Sequence, residues 1–159
     1  MKIISIRPET ADLDADEAEH AFATSGAFQV ASERAFQIQI VDEQFFQSAR
    51  VPAVVCAALS VELGIKARII ADGNRKKYRA LKGAAAHHLA TIFAMLSSDD
   101  QSWFIKGSNL PVDEFNEKLQ SVSAAFVDWR YVYEKSERVI DFSFLSKLAI
   151  LASSLPSDA

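Results

Sequence analysis

The sequence predicts an all-α fold, an up-and-down bundle of five to six helices. The chain contains only five Gly and four Pro among 159 residues, too few for a fold built from many tight turns. It also contains long runs of Ala, Leu, Glu, Lys and Gln, which are strong helix formers. In several of these runs apolar residues recur at steps of three and four, the spacing of one helix face.

The length and hydrophobic content predict a single soluble domain. Most domains contain about 100–150 residues, and half of the residues here are hydrophobic, which is ample for a core. We therefore expect one helical domain over residues 1–159. It consists of an N-terminal lead over 1–14, a helical core over about 27–152 and a polar tail over 154–159.

The composition also argues against several classes of protein. Cys56 is the only cysteine, so no intramolecular disulfide is expected, and no Cys/His spacing fits zinc. The first apolar run is too short for a signal peptide. Charged residues interrupt the longest apolar stretch, over residues 51–70, so it is not a membrane span. We expect a cytoplasmic protein that needs no metal or cofactor and does not enter a membrane.

The first third of the chain is the hardest to interpret. An acidic helix is expected over Ala15–Ala23, ending near Gly26. The following segment, over residues 27–46, contains three residues that alternate like a strand: Phe36, Ile38 and Ile40. Its length and lack of breakers favour helix, and helix is our prediction.

The remaining elements have clearer boundaries. Pro52 fits the first position of a long apolar helix that ends near Ala71, and a basic connection follows. A second helix is predicted over 81–96, followed by a polar loop. A third begins at Pro111 and runs to about Glu134, and a last helix covers 139–153.

The charge of the chain is unevenly distributed. The net charge is −4, and residues 1–45 contain nine acids and three bases. In contrast, residues 66–82 contain one acid, Asp72, and seven bases: Lys66, Arg68, Arg75, Lys76, Lys77, Arg79 and Lys82. Such a segment is either a contact surface for phosphates or a solvated loop.

The helix after Pro52 carries an ionisable residue within an apolar stripe. One face of this helix contains Val51, Val55, Ala58, Glu62, Ile65 and Ile69. A carboxylate at Glu62 therefore needs a cation or hydrogen-bond donors. It either forms a structural ion pair inside the bundle, with Lys66 or with Arg130 of another helix, or lines a cleft.

The helix after Pro111 has the strongest periodic signal. Its apolar stripe comprises Phe115, Leu119, Val122, Phe126, Trp129 and Tyr133. Arg130 lies at the edge of this stripe and needs an anion or a route to solvent. Glu134, four residues later, is the nearest candidate partner.

Two histidines occupy different faces of the helix predicted from Leu81. His88 lies at the border of the apolar stripe, whereas His87 lies nearly opposite, on a face with small neighbours: Ala84, Ala90, Thr91 and Ala94. Such a face permits close approach of another helix. Each histidine is either an ordinary surface residue or a group that exchanges a proton near neutral pH.

Three motifs follow one another along the chain. They are LSVELGIKARI over Leu59–Ile69, AHHLATIF over Ala86–Phe93 and AFVDWRYVYE over Ala125–Glu134. In this order and spacing they resemble the bacterial HEPN family of helical bundles over roughly residues 51–150. The resemblance implies a HEPN-like bundle that forms a homodimer and associates with RNA or a cognate partner protein.

The resemblance also implies roles for individual residues. His87 falls on the family's histidine and would be the catalytic acid/base, while Lys82, Arg79 or Arg130 would stabilise phosphate charge. A polar network would comprise Glu62, Lys66, His88, Arg130, Tyr133 and Glu134. Tyr131 fits the last motif as well.

The chain departs from the catalytic signature of the family, which is Arg, four to six residues, then His. Seven residues separate Arg79 from His87, and Lys82 stands where a four-residue gap would place the Arg. Lysine offsets phosphate charge but lacks the two-pronged geometry of a guanidinium. Enzymatic activity is therefore left open.

Three functions follow from these observations. The first is a toxin–antitoxin or defence-related RNA-binding module, or a metal-independent endoribonuclease. The second is a non-enzymatic dimeric adaptor or regulatory protein. The third is a small-ligand site around Glu62, Lys66, Arg130 and Tyr133.

Overall fold

The computed structural model describes residues 13–42, 45–47, 49–131 and 139–154, and its architecture is an all-α bundle, as predicted. Helices α1 to α4 are Leu13–Phe36, Arg50–Ala71, Arg75–Arg79 and Leu89–Phe93. Helices α5 to α8 are Ser98–Ser108, Val112–Val122, Ala125–Arg130 and Phe142–Ala152. A 3₁₀ segment, Gly83–His87, precedes α4. Within the part of the chain that the structure describes, no helix is long and apolar enough to cross a membrane.

Helices α1 and α2 form an antiparallel pair. The Ser25 hydroxyl donates to the Ser60 carbonyl at 2.7 Å, and the Ser32 hydroxyl donates to the Ala53 carbonyl at 2.8 Å. These small, buried serines let the two backbones approach closely while their hydroxyls remain paired. The prediction that a helix ends near Gly26 was wrong, because packing on α2 offsets the roughly 1 kcal/mol that a helical glycine costs.

A β-hairpin joins α1 to α2. Strands β1 (Gln39–Asp42) and β2 (Phe45–Gln47) pair antiparallel, with an irregularity between Ile40 and Asp42. The prediction of helix throughout residues 27–46 was therefore wrong after Phe36. Of the three alternating residues only Ile40 lies in a strand, because Phe36 ends α1 and Ile38 precedes β1.

Helix α2 is the centre of the bundle and packs against α1, α4, α7 and α8. At Gly64 any side chain would overlap the Ala152 carbonyl of α8, so glycine permits the close approach of these two helices. The largest fully buried apolar side chains come from five helices and form one core: Val61, Ile65, Ile69, Leu89, Ile92, Phe104, Phe115, Val122, Leu145 and Leu148.

The predicted helix over residues 81–96 is interrupted. The backbone of His88 is extended, with φ −85° and ψ 107°, so the 3₁₀ segment ends at His87 and α4 begins at Leu89. Buried Ser123 closes the gap: its carbonyl accepts from the Leu89 N–H at 3.0 Å, and its hydroxyl accepts from the Ala90 N–H at 2.9 Å. A tertiary contact thus replaces the helical hydrogen bonds at this break.

Two further predictions about this region were wrong. The basic connection contains the short helix α3, and the polar stretch expected to be a loop begins α5. The Ser97 hydroxyl accepts from the Asp100 N–H at 3.2 Å, so these polar residues cap a helix. Asn109 ends α5 in the left-handed conformation, with φ 59°.

The apolar stripe predicted after Pro111 is present, but it is carried by two helices instead of one. The helix expected from Pro111 to Glu134 is divided into α6 and α7. In its stripe Phe115, Leu119 and Val122 are buried, whereas Phe126 and Trp129 are half-buried. Tyr133 and Glu134 lie outside the described residues. The final helix begins at Phe142, where the Asp141 carboxylate accepts from the Phe144 N–H at 3.0 Å and caps it.

Candidate functional site

Glu62 is a buried carboxylate near the middle of α2, with 3% of its surface exposed. The predicted stripe faces the core from Ala58 to Ile69 and includes Glu62, whereas Val51 is exposed and Val55 is half-buried. Its Oε1 accepts from the Lys66 Nζ at 2.6 Å, one helical turn away. Both carboxylate oxygens also lie 3.0 Å from His87 Nδ1. Two basic side chains from different segments therefore satisfy this carboxylate.

His87 connects the buried carboxylate to the surface. It is the last residue of the 3₁₀ segment, and 38% of its side chain is exposed. An ionised carboxylate only accepts hydrogen bonds, so contact with both Glu62 oxygens requires a proton on Nδ1. In the neutral ring Nε2 is then an acceptor. Glu62 thus orients the imidazole through Nδ1, and Nε2 forms no hydrogen bond with another described residue.

Aromatic rings flank both basic partners of Glu62. The Phe126 ring of α7 lies 5.0 Å from the His87 ring, centroid to centroid. The Lys66 Nζ lies 5.5 Å from the centre of the Tyr78 ring of α3. Four segments, α2, α3, the 3₁₀ segment and α7, thus contribute side chains around Glu62.

Arg130 belongs to the edge of this group and is not a partner of Glu62. Its guanidinium lies 4.9 Å from the Phe126 ring centre and 4.7 Å from that of Tyr131. Glu62 and Arg130 form no hydrogen bond or ion pair with each other. Of the two structural pairings considered for Glu62, only the one with Lys66 is therefore present. The pairing of Arg130 with Glu134 lies outside the described residues.

The three residues named as catalytic are separated by their contacts. Arg79 is turned toward α1, where its Nη2 donates to the Glu17 oxygens at 3.0 and 3.3 Å. Hydrogen bonds with Tyr78 and Glu17 raise the pKa of Arg79. Lys82 is exposed and immediately precedes the 3₁₀ segment. Neither cation contacts His87.

His88 has a local role. Its Nδ1 lies 2.9 Å from the Thr91 hydroxyl, one turn into α4. The contact stays within four successive residues and involves no group of the Glu62 cluster. His88 therefore differs from its neighbour His87 in every partner, which makes it a natural control for experiments on His87.

Sequence reasoning missed three members of this region. Phe126 was interpreted only as part of an apolar stripe, and Tyr78 and Glu17 were assigned no role. The two aromatic residues carry no pattern that separates a site from a core, because only the break before α4 places His87 beside Phe126. Glu17 is one of nine acids among residues 1–45, and its partners lie about 60 positions away.

A second buried charge on α2 has a different environment. The Arg68 guanidinium donates to Asp100 at 2.8 Å and to the Ser154 carbonyl at 2.6 Å, and it stacks 4.4 Å from the Trp103 ring centre. Burial and the neighbouring Asp100 raise the pKa of Asp72, and Arg68 opposes this effect. Arg68 also borders a mostly apolar cavity of about 460 Å³ between α1 and α2.

Among the residues that the structure describes, no group of three or more His, Cys, Asp or Glu side chains is placed to hold a metal ion. Comparison of the chain with family models, with curated proteins and with solved structures found no match. The site is therefore interpreted from its own geometry and chemistry.

Proposed function

We propose that this chain is an RNA-associated helical module that cleaves RNA by acid/base chemistry at His87. The observation that carries the proposal is the contact of both Glu62 oxygens with His87 Nδ1 at 3.0 Å. A buried carboxylate that fixes one ring nitrogen and leaves the other accessible is a recurrent arrangement for general acid/base catalysis. The HEPN resemblance supports RNA as the substrate and a metal-independent reaction.

The proposed reaction uses one proton carrier. His87 Nε2 accepts the proton of a ribose 2′-hydroxyl, and the 2′-oxygen forms a bond to the adjacent phosphorus. The bond from phosphorus to the 5′-oxygen breaks, and the imidazolium returns the proton to that oxygen. The products are a 2′,3′-cyclic phosphate and a 5′-hydroxyl end. Glu62 acts as a positioning residue, because it fixes the ring and stabilises its charged form.

The cations near the site differ in whether they are free to contact a phosphate. Lys66 is committed to Glu62, and Arg79 to Glu17. Lys82 is exposed and lies about 10 Å from His87 along the 3₁₀ segment, from the rise of about 2 Å per residue. The Phe126 ring contacts the His87 ring and the Arg130 guanidinium. We infer that Lys82 and Arg130 are the groups available to offset phosphate charge.

A cleavage assay tests this proposal. His87→Ala should reduce the rate by about 10²–10⁴-fold, the contribution typical of a general acid/base, and Glu62→Gln by about 10–100-fold. His88→Ala should retain the rate, and a chelator should leave it unchanged. Failure of the protein to cleave mixed-sequence RNA, or equal loss in both histidine variants, contradicts the proposal.

A non-enzymatic dimeric adaptor is the second candidate. Exposed alanines at the start of the 3₁₀ segment and exposed apolar residues such as Val112 and Val139 favour it. If it is correct, light scattering gives twice the 17.5 kDa chain mass, and His87→Ala has no effect on the dimer. A strict monomer at high micromolar concentration excludes this alternative.

A further inference from the structure

A second polar cluster lies next to the Glu62 site, where α3 meets α1. The Glu17 carboxylate accepts from Arg79 Nη2 at 3.0 and 3.3 Å and from the Tyr78 hydroxyl at 3.3 Å. Arg75 Nη2 also pairs with Glu17. Two guanidiniums and a phenol from one short helix therefore converge on a single carboxylate of another helix.

The three donors share one face of α3, because they occupy positions i, i+3 and i+4. Guanidiniums match the geometry of paired oxygens on carboxylates and phosphates. A phosphodiester resembles a carboxylate in the two properties that this cluster recognises, since it has one negative charge and two oxygens free to accept. The donor set that binds Glu17 therefore also suits a phosphate of a nucleic-acid backbone.

Glu17 is partly accessible to solvent and to competing anions. Fifty-four per cent of the Arg79 side chain and 29% of the Glu17 side chain are exposed, so solvent and solutes reach both. The Arg79–Glu17 pair is therefore partly exposed and adds little to stability, whereas Arg75, with 28% of its side chain exposed, is more enclosed. Lys76 and Lys77 are also exposed, and neither forms an ion pair with another described residue. Their charge attracts a polyanion to this helix.

A chain of contacts links this cluster to His87. The Tyr78 ring lies under Lys66, which pairs with Glu62, and Glu62 contacts His87. Tyr78 thus contributes its hydroxyl to one cluster and its ring to the other. Tyr78, Lys66 and Glu62 would therefore connect a backbone phosphate bound at Arg75 and Arg79 with the proposed reaction centre.

We propose that Arg75, Tyr78 and Arg79 form a phosphate-binding site for which Glu17 is an internal competitor. RNA reaches the site by displacing the Glu17 carboxylate, so α1 lowers the affinity of the protein for RNA. The identity of the ligand as RNA rests on the proposed function, whereas the affinity of the cluster for phosphate does not.

Two variants that each remove one negative charge from α1 test this proposal. Binding of a fluorescent single-stranded RNA is measured at several salt concentrations in the His87→Ala background, so that no cleavage is required. Glu17→Gln should bind about three- to fivefold more tightly, since it removes a competing exposed ion pair. Glu19→Gln makes the same charge change without contacting α3 and should bind within about twofold of the parent.

Arg79→Ala should weaken binding and reduce the salt dependence by about one counterion, as expected for one lost phosphate contact. In a parallel experiment each variant is titrated with inorganic phosphate, and the rise in its melting temperature is measured. Phosphate should stabilise Glu17→Gln more than Glu19→Gln and Arg79→Ala least.

The outcomes separate the two proposals. Equal RNA affinities for Glu17→Gln and Glu19→Gln overturn the competitor role, even if the protein cleaves RNA. Phosphate binding that follows the predicted order while RNA does not bind supports the anion site and removes RNA as its ligand. A lower melting temperature for Glu17→Gln without tighter binding shows that Glu17 only holds α1 to α3, and also overturns the proposal.

Discussion

Glu62 and Arg68 are both buried charged residues on α2, yet their surroundings differ. Arg68 contacts Asp100, the Ser154 carbonyl and the Trp103 ring, and 8% of its surface is exposed. Glu62 is equally enclosed, but one of its partners, His87, reaches solvent. Burial therefore does not distinguish the two charges. In the proposed function they differ because the partner of Glu62, His87, is exposed and able to meet a substrate.

The largest expected effect on stability is at Arg68. Arg68→Ala removes a buried cation and leaves Asp100 and the Ser154 carbonyl without their donor, so the free energy of unfolding should fall by about 3–5 kcal/mol. Urea denaturation measures this loss. Arg68→Lys keeps the charge and should lose less. A loss below about 1 kcal/mol would show that Arg68 contributes little to stability. It would contradict the contrast drawn here between Arg68 and Glu62.

Glu62→Gln should have an intermediate effect. The substitution preserves shape but leaves Lys66 and His87 without a negative partner, and the expected loss is about 1–3 kcal/mol. The same denaturation experiment applies, with Glu19→Gln as the exposed control. If the variant is as stable as the parent, Glu62 is not a structural requirement and its burial serves His87 alone.

Asp141 is a charged residue that is only half-buried, in contrast to Glu62 and Arg68. The Lys118 ammonium, at 2.6 Å, and the Phe144 N–H lower the pKa of Asp141. Asp141→Ala should cost about 1 kcal/mol, typical of a lost helix cap, and Asp141→Asn should cost less because Asn also caps.

The lowered pKa of Asp141 fixes the direction of the pH dependence. Its stabilising effect is complete above the ordinary carboxyl pKa of about 4 and is lost as the pH falls through the lower folded-state value. The difference between the parent and Asp141→Ala should therefore shrink in acid. A difference that grows below pH 4 contradicts this assignment.

The smallest effect on stability is expected at His87. In His87→Ala, Lys66 still pairs with Glu62 and water can take the place of the exposed imidazole, so the free energy of unfolding should change by less than about 1 kcal/mol. The same substitution should remove the cleavage activity proposed above. His88→Ala should leave the activity intact. A large loss of stability in His87→Ala would place His87 with Arg68 as a structural residue.

The sequence predicts the local part of this site better than the long-range part. The apolar stripe of α2 predicts the burial of Glu62, and the spacing of one helical turn predicts its contact with Lys66. The contact with His87 spans 25 positions and depends on the extended backbone of His88, which no local pattern predicts.

The errors in the fold have a similar origin. The polar residues around Ser97 suit a loop and a helix cap equally well, and only the packing of α5 decides between them. The segment after Phe36 contained an alternating signal, but its length favoured helix. In both places tertiary contacts decided between two locally acceptable structures.

The tautomer of His87 tests the central claim most directly. Glu62 can orient the ring only by accepting a proton from Nδ1, so nitrogen-15 NMR of the neutral imidazole should show protonated Nδ1 and unprotonated Nε2. Glu62→Gln should weaken this preference, and the His88 signal should not change. If His87 carries its proton on Nε2 in the neutral form, Glu62 does not present Nε2 as a base, and the proposed chemistry is wrong.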